Sequence, residues 1–263
     1  MQYSIGTKIN SGRFGNVYRV KKDGKTYAAK LLPKHKIDTP HSVNIGMIQR
    51  EINNHKKVNG HRNIVELFDI VEDWGNFYII EEYCKRGDLN AFINKYKIEE
   101  VHAQIILRDC LHGLVECHKA GFIFGDLKPA NVLVADTMHF KLCDFGGTEG
   151  ATGLYTGSTH IRGTPAFLAP ESYIFKEEHG FISDMWSLGV LAYILLYDKY
   201  PFDIEKVCSM DEFKDKILNT NIAYEHETLT VAARDFVQLC LQKDVMERIT
   251  PENALSHPFL CNV

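Results

Sequence analysis

The stretch Ile123-Phe124-Gly125-Asp126-Leu127-Lys128-Pro129-Ala130-Asn131 brings three polar side chains close together along the chain. They are the carboxylate of Asp126, the ammonium group of Lys128 and the amide of Asn131. Pro129 restricts the backbone between them. Phosphoryl transfer to a hydroxyl group needs an acceptor for the alcohol proton, a positive charge beside the moving phosphoryl group and a hard oxygen ligand for magnesium. By itself, however, the stretch is better explained as a turn that carries a solvated charge pair.

Two further motifs follow this stretch. Asp144-Phe145-Gly146 begins 13 residues after Asn131, and Ala169-Pro170-Glu171 lies farther along the chain. The three motifs occur in the order that is typical of protein kinases. The chain therefore resembles a eukaryotic-type serine/threonine protein kinase catalytic domain, and the resemblance covers residues from about 3 to 260.

The resemblance implies an α+β fold with two lobes. A small lobe at about 1–82 would hold a five-stranded antiparallel sheet and one helix, and a hinge at 83–87 would lead to a larger, mainly helical lobe at about 88–263. The whole chain, 1–263, would form a single protein kinase domain. Apolar patterns predict strands at 3–9, 17–20, 27–30, 67–72 and 77–82, and helices at 43–58, 99–120, 183–197, 210–219, 229–241 and 251–256.

An ATP site between the lobes is also implied by the resemblance. Lys30 would hold the α- and β-phosphates, and Glu51 would pair with Lys30. The backbone of Glu82 and Cys84 would bind the adenine edge, and Asp88 would reach the ribose. The expected ATP-binding residues are Asn10, Gly12, Gly15, Val17, Ala28, Lys30, Glu51, Glu81, Glu82, Cys84, Asp88 and Leu133.

The resemblance gives the polar stretch catalytic roles. Asp126 would orient and deprotonate the acceptor hydroxyl, Lys128 would screen the γ-phosphate, and magnesium would be held by Asn131 and Asp144. Gly163-Thr164-Pro165 resembles the substrate shelf of serine/threonine kinases, with Thr164 hydrogen-bonded to Asp126 and Lys128. The expected shelf residues are Thr164, Pro165 and Leu168. The expected partner is therefore a protein substrate with a serine or threonine acceptor.

Several positions differ from the usual motifs of this family. Asn10 replaces the first glycine of the phosphate loop, and its tolerance of positive φ would preserve the turn. Phe124 and Gly125 replace the His-Arg pair that usually precedes the catalytic aspartate. In many relatives that arginine binds a phosphorylated residue of the activation segment, which corresponds to residues 144–171 here, and the aligned position is His160. We therefore expect activity without phosphorylation of that segment.

Glu81 is another unusual residue, because it takes the gatekeeper position at the back of the adenine pocket, where most relatives have an apolar side chain. A buried carboxylate must find a hydrogen-bond donor or become protonated. Lys30 is the expected donor, shared with Glu51, and the adenine amino group is the other candidate.

Three further polar residues are expected to be structural. Asp184 would anchor its helix to the backbone of the catalytic loop, and Arg248 would pair with Glu171. His118 is expected to pack on the apolar stripe of the helix at 99–120 rather than to act as a ligand.

Composition narrows the partners and the location of the chain. Its net charge is −4 and its pI about 6.3, without a basic run, so neither nucleic acid nor membrane is an expected partner. The 7 cysteines are scattered and form no Cys-x-x-Cys pair, which favours a reducing compartment over disulfides or zinc. No charged-then-apolar leader opens the sequence, and the apolar run at 185–197 is too short to span a bilayer. We expect an intracellular protein, cytoplasmic or nuclear, and the sequence gives no indication of its oligomeric state.

Two alternatives to an active protein kinase remain open at this point. The unusual residues Asn10, Glu81, Phe124 and Gly125 also fit a pseudokinase, a nucleotide-binding scaffold with weak catalysis. A small-molecule kinase of related fold can share the two catalytic aspartates. The peptide shelf at 163–165 disfavours this last alternative.

Overall fold

The computed structural model of this chain describes residues 3–11, 15–34, 45–136, 138–150, 163–174, 180–204, 207 and 209–261. Two residues that the sequence analysis singles out, Gly12 of the phosphate loop and His160 of the activation segment, lie outside these ranges.

Five strands form the sheet of the small lobe. They are β1 (Ser4–Ser11), β2 (Asn16–Lys22), β3 (Lys25–Pro33), β4 (Leu67–Glu72) and β5 (Asn76–Glu82). All neighbouring pairs are antiparallel, and the order across the sheet is β1-β2-β3-β5-β4. Only Asp23 and Gly24 connect β2 to β3, with φ of 50° and 76°, the left-handed conformation that a two-residue hairpin turn needs. The predicted five-stranded antiparallel sheet is thus confirmed.

Helix α1 (Ile45–Val58) lies against this sheet. Its Ile48 shares an apolar cluster with Leu32 of β3 and Ile79 of β5. Residues three positions apart face the same side of a helix, so the packing of Ile48 also turns Glu51 inward, where it is 6% exposed. Burial of the apolar stripe therefore places a carboxylate beside the central strand.

The large lobe is mainly helical, as predicted, which completes the α+β fold. Its helices are α2 (Leu89–Lys95), α3 (Glu100–Lys119), α4 (Pro170–Ile174), α5 (Ile182–Tyr197), α6 (Met210–Asn219), α7 (Val231–Cys240), α8 (Pro251–Leu255) and α9 (Pro258–Cys261). Four short strands, β6 (Phe122–Ile123), β7 (Val132–Asp136), β8 (His139–Leu142) and β9 (Glu149–Gly150), pair as β6 with β9 and β7 with β8.

Helix α5 forms the centre of the large lobe. Apolar side chains surround it on all sides, and its Trp186 and Tyr193 are almost completely buried. This confirms the core helix predicted from the apolar run at 185–197. Among the described residues, no helix has the length and apolar composition of a membrane span.

The segment between the lobes runs from the end of β5 at Glu82 to the start of α2 at Leu89. Two backbone contacts attach it to β7: Asp88 forms a β-bridge with Leu133, and the amide of Val134 donates to the carbonyl of Gly87 at 2.9 Å. A cleft opens where this segment, the small sheet and the β7–β8 hairpin meet.

Candidate active site

Lys30 links the two sides of the cleft. It lies on β3 and is 7% exposed, and its Nζ is 2.5 Å from Oε1 of Glu51 and 2.7 Å from Oδ1 of Asp144. Burial alone would lower the pKa of Lys30, but Asp144 and Glu51 raise it well above its ordinary value. Lys30 is therefore charged, and the predicted pairing with Glu51 is confirmed.

Asp144 has an unusual backbone conformation for a residue with a side chain. Its φ is 62° and its ψ is 81°, in the left-handed region, where most residues other than glycine are disfavoured. The side chain keeps 40% of its surface exposed, while Oδ1 also accepts a bond from the amide of Gly146 at 3.3 Å. Desolvation would raise the pKa of Asp144, but the charge and hydrogen bond of Lys30 lower it below its usual value. The result is an ionised carboxylate that faces the cleft.

Asp126 is the centre of a second polar cluster. Its Oδ2 accepts hydrogen bonds from Nζ of Lys128 at 2.7 Å and from Nδ2 of Asn131 at 2.9 Å. The hydroxyl of Thr164 donates to Oδ1 of Asp126 at 2.9 Å and accepts from Lys128 at 2.7 Å. Both predicted contacts of Thr164 are thus confirmed, and they hold the Asp126 carboxylate in one orientation.

The backbone before Asp126 is anchored by Asp184, as predicted. The amides of Phe124 and Gly125 donate to its two oxygens at 2.9 and 2.8 Å. His118 has a larger role than the sequence suggested, because its Nε2 lies 2.8 Å from Oδ2 of Asp184 while its ring stacks on Phe181. His118 is thus packed in the protein as expected, and it also makes a contact that was not predicted, because a carboxylate that is 1% exposed needs hydrogen-bond donors.

Asn131 and Asp144 together fit a magnesium ion. The Nδ2 of Asn131 donates to Asp126, at 2.8 Å to the backbone oxygen, so Oδ1 is the atom that remains for a cation. The amide of Cys143 donates to the carbonyl of Asn131 at 3.0 Å, which holds the two ligands side by side. Magnesium is usually bound by one or two such hard oxygens together with substrate phosphates.

The adenine end of the cleft combines apolar walls with an open backbone donor. Val17, Ala28 and Leu133 line it. Among the described residues, the backbone N–H of Cys84 donates to no other group, so it is available to a bound base. Asp88 also lines the cleft, but one of its oxygens already caps α2 by accepting from the amide of Ala91 at 2.8 Å.

The phosphate loop meets the sheet at two expected residues. A Cβ at Gly15 would lie 2.1 Å from the carbonyl oxygen of Leu31, so only glycine fits there. Asn10 does not have the positive φ that the sequence allowed for. It pairs with Val17 as part of β1, and its Oδ1 accepts from the amide of Ser11 at 2.7 Å. Ordinary strand pairing removes the need for a left-handed turn at that position.

Glu81 does not find its donor in Lys30. Among the basic side chains of the described residues, His55 is the one with a nitrogen within 4.0 Å of its carboxyl group, and Nδ1 lies 3.5 Å from Oε1. Strand register gives the reason, since β5 places Glu81 opposite Ala28 while Lys30 pairs with Ile79 and is already bound to two other carboxylates. Glu82, the next residue, instead binds Nζ of Lys141 at 2.6 Å.

The expected shelf residues surround the end of the Asp126 cluster. Thr164 continues into a turn of 3-10 helix that begins at Pro165, whose carbonyl accepts from the hydroxyl of Tyr173 at 2.7 Å. Leu168 is buried. Below the shelf, Glu171 and Arg248 form the predicted ion pair, with nitrogen–oxygen distances of 2.6 and 2.8 Å.

Two polar contacts of the site were not predicted from the sequence, that of His55 with Glu81 and that of His118 with Asp184. His55 lies four positions after Glu51, on the same face of α1, and this spacing was the available signal. No comparable local signal connects His118 to Asp184, because the two meet only when α3 packs against α5.

Comparisons with known proteins agree with this arrangement. The sequence profile of the family described as "Protein kinase domain" matches residues 3–260. The chain is similar to Calcium/calmodulin-dependent serine/threonine-protein kinase 1 of Oryza sativa subsp. japonica, with 31% identity over 98% of this chain and 44% of the relative. Similar too are CDPK-related kinase 1 of Arabidopsis thaliana, with 32% identity over 98% and 46%, and Calcium-dependent protein kinase 1 of Oryza sativa subsp. japonica, with 32% over 98% and 50%. The chain spans about half the length of these curated relatives or slightly less.

Proposed function

The chain belongs to the protein kinase domain family, and on that premise we propose that it transfers the γ-phosphate of ATP to serine or threonine hydroxyls of proteins, with magnesium as cofactor. The observation that carries this proposal is the cluster of Asp126, Lys128 and Thr164 beside the two oxygen ligands Asn131 and Asp144. A pseudokinase that lacks catalysis would have no need to keep the first three and Asn131 in hydrogen-bond contact, with the carboxylate of Asp144 facing the same cleft.

The proposed reaction uses each of these groups in turn. Asp126 accepts the proton of the substrate hydroxyl. The hydroxyl oxygen forms a bond to the γ-phosphorus of ATP, while the bond between the γ-phosphorus and the oxygen that bridges it to the β-phosphate breaks. Lys128 places its charge beside the transferred group, and Lys30 binds the α- and β-phosphates. Asn131 and Asp144 would hold the magnesium ion, which would supply positive charge beside the phosphates. Thr164 fixes the orientation of Asp126. The contacts of Thr164 with Asp126 and Lys128 match those expected for the shelf of serine/threonine kinases, which supports a serine or threonine acceptor.

The test is transfer of radiolabelled phosphate from ATP to a generic protein substrate, followed by identification of the phosphorylated amino acid. We expect Asp126→Asn and Asp144→Asn each to lower the rate by about 10² to 10⁴, the contribution of a general base or an essential ligand. Glu72→Gln, which removes an exposed carboxylate on β4 that pairs with Lys34, is the matched control.

A nucleotide thermal-shift measurement separates the proposal from its rival. Asp126→Asn should keep the shift with ATP and magnesium, whereas Asp144→Asn should reduce it. Transfer by Asp144→Asn at the parent rate would contradict the assignment, and a thermal shift without any transfer by the parent would support the pseudokinase scaffold. We propose an intracellular location as well, supported by the free thiols Cys84, Cys110, Cys117, Cys143, Cys240 and Cys261.

A further inference from the structure

The tautomer of His55 is set by its surroundings. The residue is 1% exposed, and its Nε2 lies 2.7 Å from the carbonyl oxygen of Val65. A carbonyl oxygen can only accept, so Nε2 must carry the ring proton. Burial lowers the pKa of His55 to about 4, which leaves the ring neutral. Nδ1 therefore presents a lone pair.

That lone pair faces Glu81. Oε1 of Glu81 is 3.5 Å from Nδ1, and the two side chains are only 12% and 2% exposed. An ionised carboxylate would repel the lone pair, whereas a protonated carboxyl group would donate to it. The geometry is thus favourable for only one protonation state of Glu81.

On balance, the surroundings of Glu81 also favour its protonated form. Lys30 on β3 favours the ionised form, while Glu51 on α1 and Asp144 after β8 disfavour it. Lys30 is shared between those two carboxylates, so its charge is already compensated. The other titratable neighbours are the thiols of Cys84 and Cys143, whose pKa values burial raises, so they add no charge. Burial, with these charges, raises the pKa of Glu81 to about 8.

His55 transmits its position to the reaction centre. Its ring stacks on Phe145 with centroids 4.4 Å apart and an angle of 20°. Phe145 in turn contacts the edge of Phe124 at 5.6 Å and directly follows Asp144 in the chain. A shift of the His55 ring would therefore move the residue next to the proposed magnesium ligand.

We propose that Glu81 is a positioning residue that acts as a neutral carboxylic acid, whose hydroxyl donates to Nδ1 of His55 and so holds α1 and Phe145 in the arrangement that Asp144 requires. This inference rests on the proposed kinase function. When Glu81 loses its proton, it loses the donor and places a negative charge opposite the lone pair. The arrangement then loosens, and catalysis should fall while the nucleotide still binds.

The decisive variant is Glu81→Gln, because the glutamine amide is nearly isosteric and donates at every pH. Between about pH 7 and pH 9 the parent should lose about tenfold in kcat, since one pH unit above its pKa a carboxyl group is about one-tenth protonated. Glu81→Gln should keep its own kcat constant over this range. KM for ATP should change little in either protein, which separates positioning from a direct effect on binding.

A second readout uses the nucleotide-free protein and does not depend on activity. A carboxyl group whose pKa is raised from 4.5 to about 8 in the folded state contributes stability that is complete below pH 4.5 and lost as pH rises to about 8. The Tm of Glu81→Gln relative to the parent should therefore increase over this window and then level off. Glu72→Gln, at an exposed carboxylate, should show no such trend.

His55→Phe tests the other half of the pair, because it keeps a ring against Phe145 and removes the acceptor nitrogen. Already at about pH 7 its kcat should be as low as the kcat of the parent at about pH 9, and it should not fall further as the pH rises. Parallel pH profiles of kcat for the parent and Glu81→Gln, or a Tm difference that is independent of pH, would overturn the inference. Absence of transfer in all variants together with the expected Tm trend would instead refute the kinase function and leave the hydrogen bond standing.

Discussion

Lys30 carries one positive charge between two carboxylates, so its cluster with Glu51 and Asp144 has a formal charge of −1 when all three are ionised. The uncompensated negative charge lies on the side of Asp144, whose side chain faces the cleft. A magnesium ion bound there would change the charge of this cluster from −1 to +1, and the phosphates of a bound nucleotide would offset the excess, which is consistent with the proposed magnesium site. Without Lys30, the buried carboxylate of Glu51 would lose the cation that it contacts while the carboxylate of Asp144 remained nearby.

We expect Lys30→Met to lower the free energy of unfolding by about 3 kcal/mol, because removal of one partner leaves a buried charge uncompensated. The matched control is Lys34→Met just past the end of the same strand, where Lys34 pairs with exposed Glu72 at 2.6 Å and the loss should stay below about 1 kcal/mol. Denaturant unfolding of the nucleotide-free proteins measures both. Equal losses at the two sites would show that the Lys30 cluster is not a coupled buried pair.

Glu81 should also determine which inhibitors enter the back of the cleft. A compound with an apolar arm that reaches past Glu81 would separate its carboxyl group from water and from His55, at a penalty of roughly 1 to 3 kcal/mol. Such compounds should bind Glu81→Ala better than the parent by about tenfold or more, at about 1.4 kcal/mol per decade. Calorimetry on both folded proteins measures this difference, and equal affinities would show that Glu81 does not line the pocket.

At the scale of elements, three glycines join the catalytic loop to its neighbours. Gly125 has φ of 77°, and a Cβ there would lie 2.8 Å from the carbonyl oxygen of Gly147. Gly163, just before the shelf, has φ of 96° and a Cβ there would lie 2.9 Å from the carbonyl oxygen of Gly125. The backbones of three segments thus approach so closely that side chains cannot fit between them. Close backbone packing therefore requires glycine at position 125, and this requirement is separate from the missing arginine of the usual motif.

It follows that restoring the arginine of the usual motif should harm this protein. Gly125→Arg combines a left-handed φ, which costs about 1 to 2 kcal/mol for a residue with a side chain, with the clash at Gly147. Gly121→Arg is the control, because Gly121 has φ of 83° but a Cβ there would meet no atom of the described residues within 4 Å. We expect the Tm and the transfer rate of Gly125→Arg to lie well below those of the control. Similar values for both variants would contradict the packing argument.

The elements that the sequence predicted best are those with local boundary signals. Strand β4 and helix α6 have the predicted bounds, 67–72 and 210–219. Ser209 caps α6 by accepting from the amide of Glu212 at 3.2 Å, and Asp73 ends β4 by accepting from the amides of Gly75 and Asn76 at 2.8 Å. Such signals can be read from a few neighbouring residues.

Features that depend on distant packing could not be predicted in this way. The β6–β9 pair joins Phe122 with Gly150 and Ile123 with Glu149, two residues on each side, which is too short for a periodic pattern. The same holds for the candidate site. The sequence indicated the ion pair of Lys30 with Glu51, but only the register of β3 and β5 shows that Glu81 is left to His55.

At the scale of the whole molecule, contacts between the small lobe and the reaction centre include two that involve Lys30 and His55. One is the ion pair of Lys30 with Asp144, and the other is the stack of His55 on Phe145. A third link supports them: Nδ2 of Asn54 on α1 donates to the hydroxyl of Thr148 at 3.0 Å, and that hydroxyl donates to the carbonyl of Phe145 at 2.8 Å. Helix α1 is thus tied to the start of the activation segment by side chains that carry no phosphate.

Contacts at the other end of the activation segment are a second basis for the expectation that the unmodified protein is active. Thr164 binds Asp126 and Lys128, while Gly125 offers no guanidinium for a phosphorylated residue to bind. In kinases that do need loop phosphorylation, new pairs between arginine and phosphate order the segment. Here the described contacts already fix both the Asp144 and the Thr164 ends.

We therefore expect the protein to retain most of its transfer rate after treatment with a broad-specificity phosphatase, with complete dephosphorylation verified by mass spectrometry. Asp126→Asn treated in the same way gives the background rate. Thr164→Val should abolish most of the activity of treated and untreated protein alike, because it removes the hydroxyl that orients Asp126 whatever the phosphorylation state. Loss of activity on dephosphorylation and its return on phosphorylation of the segment would show that a phosphate, rather than these contacts, orders the site.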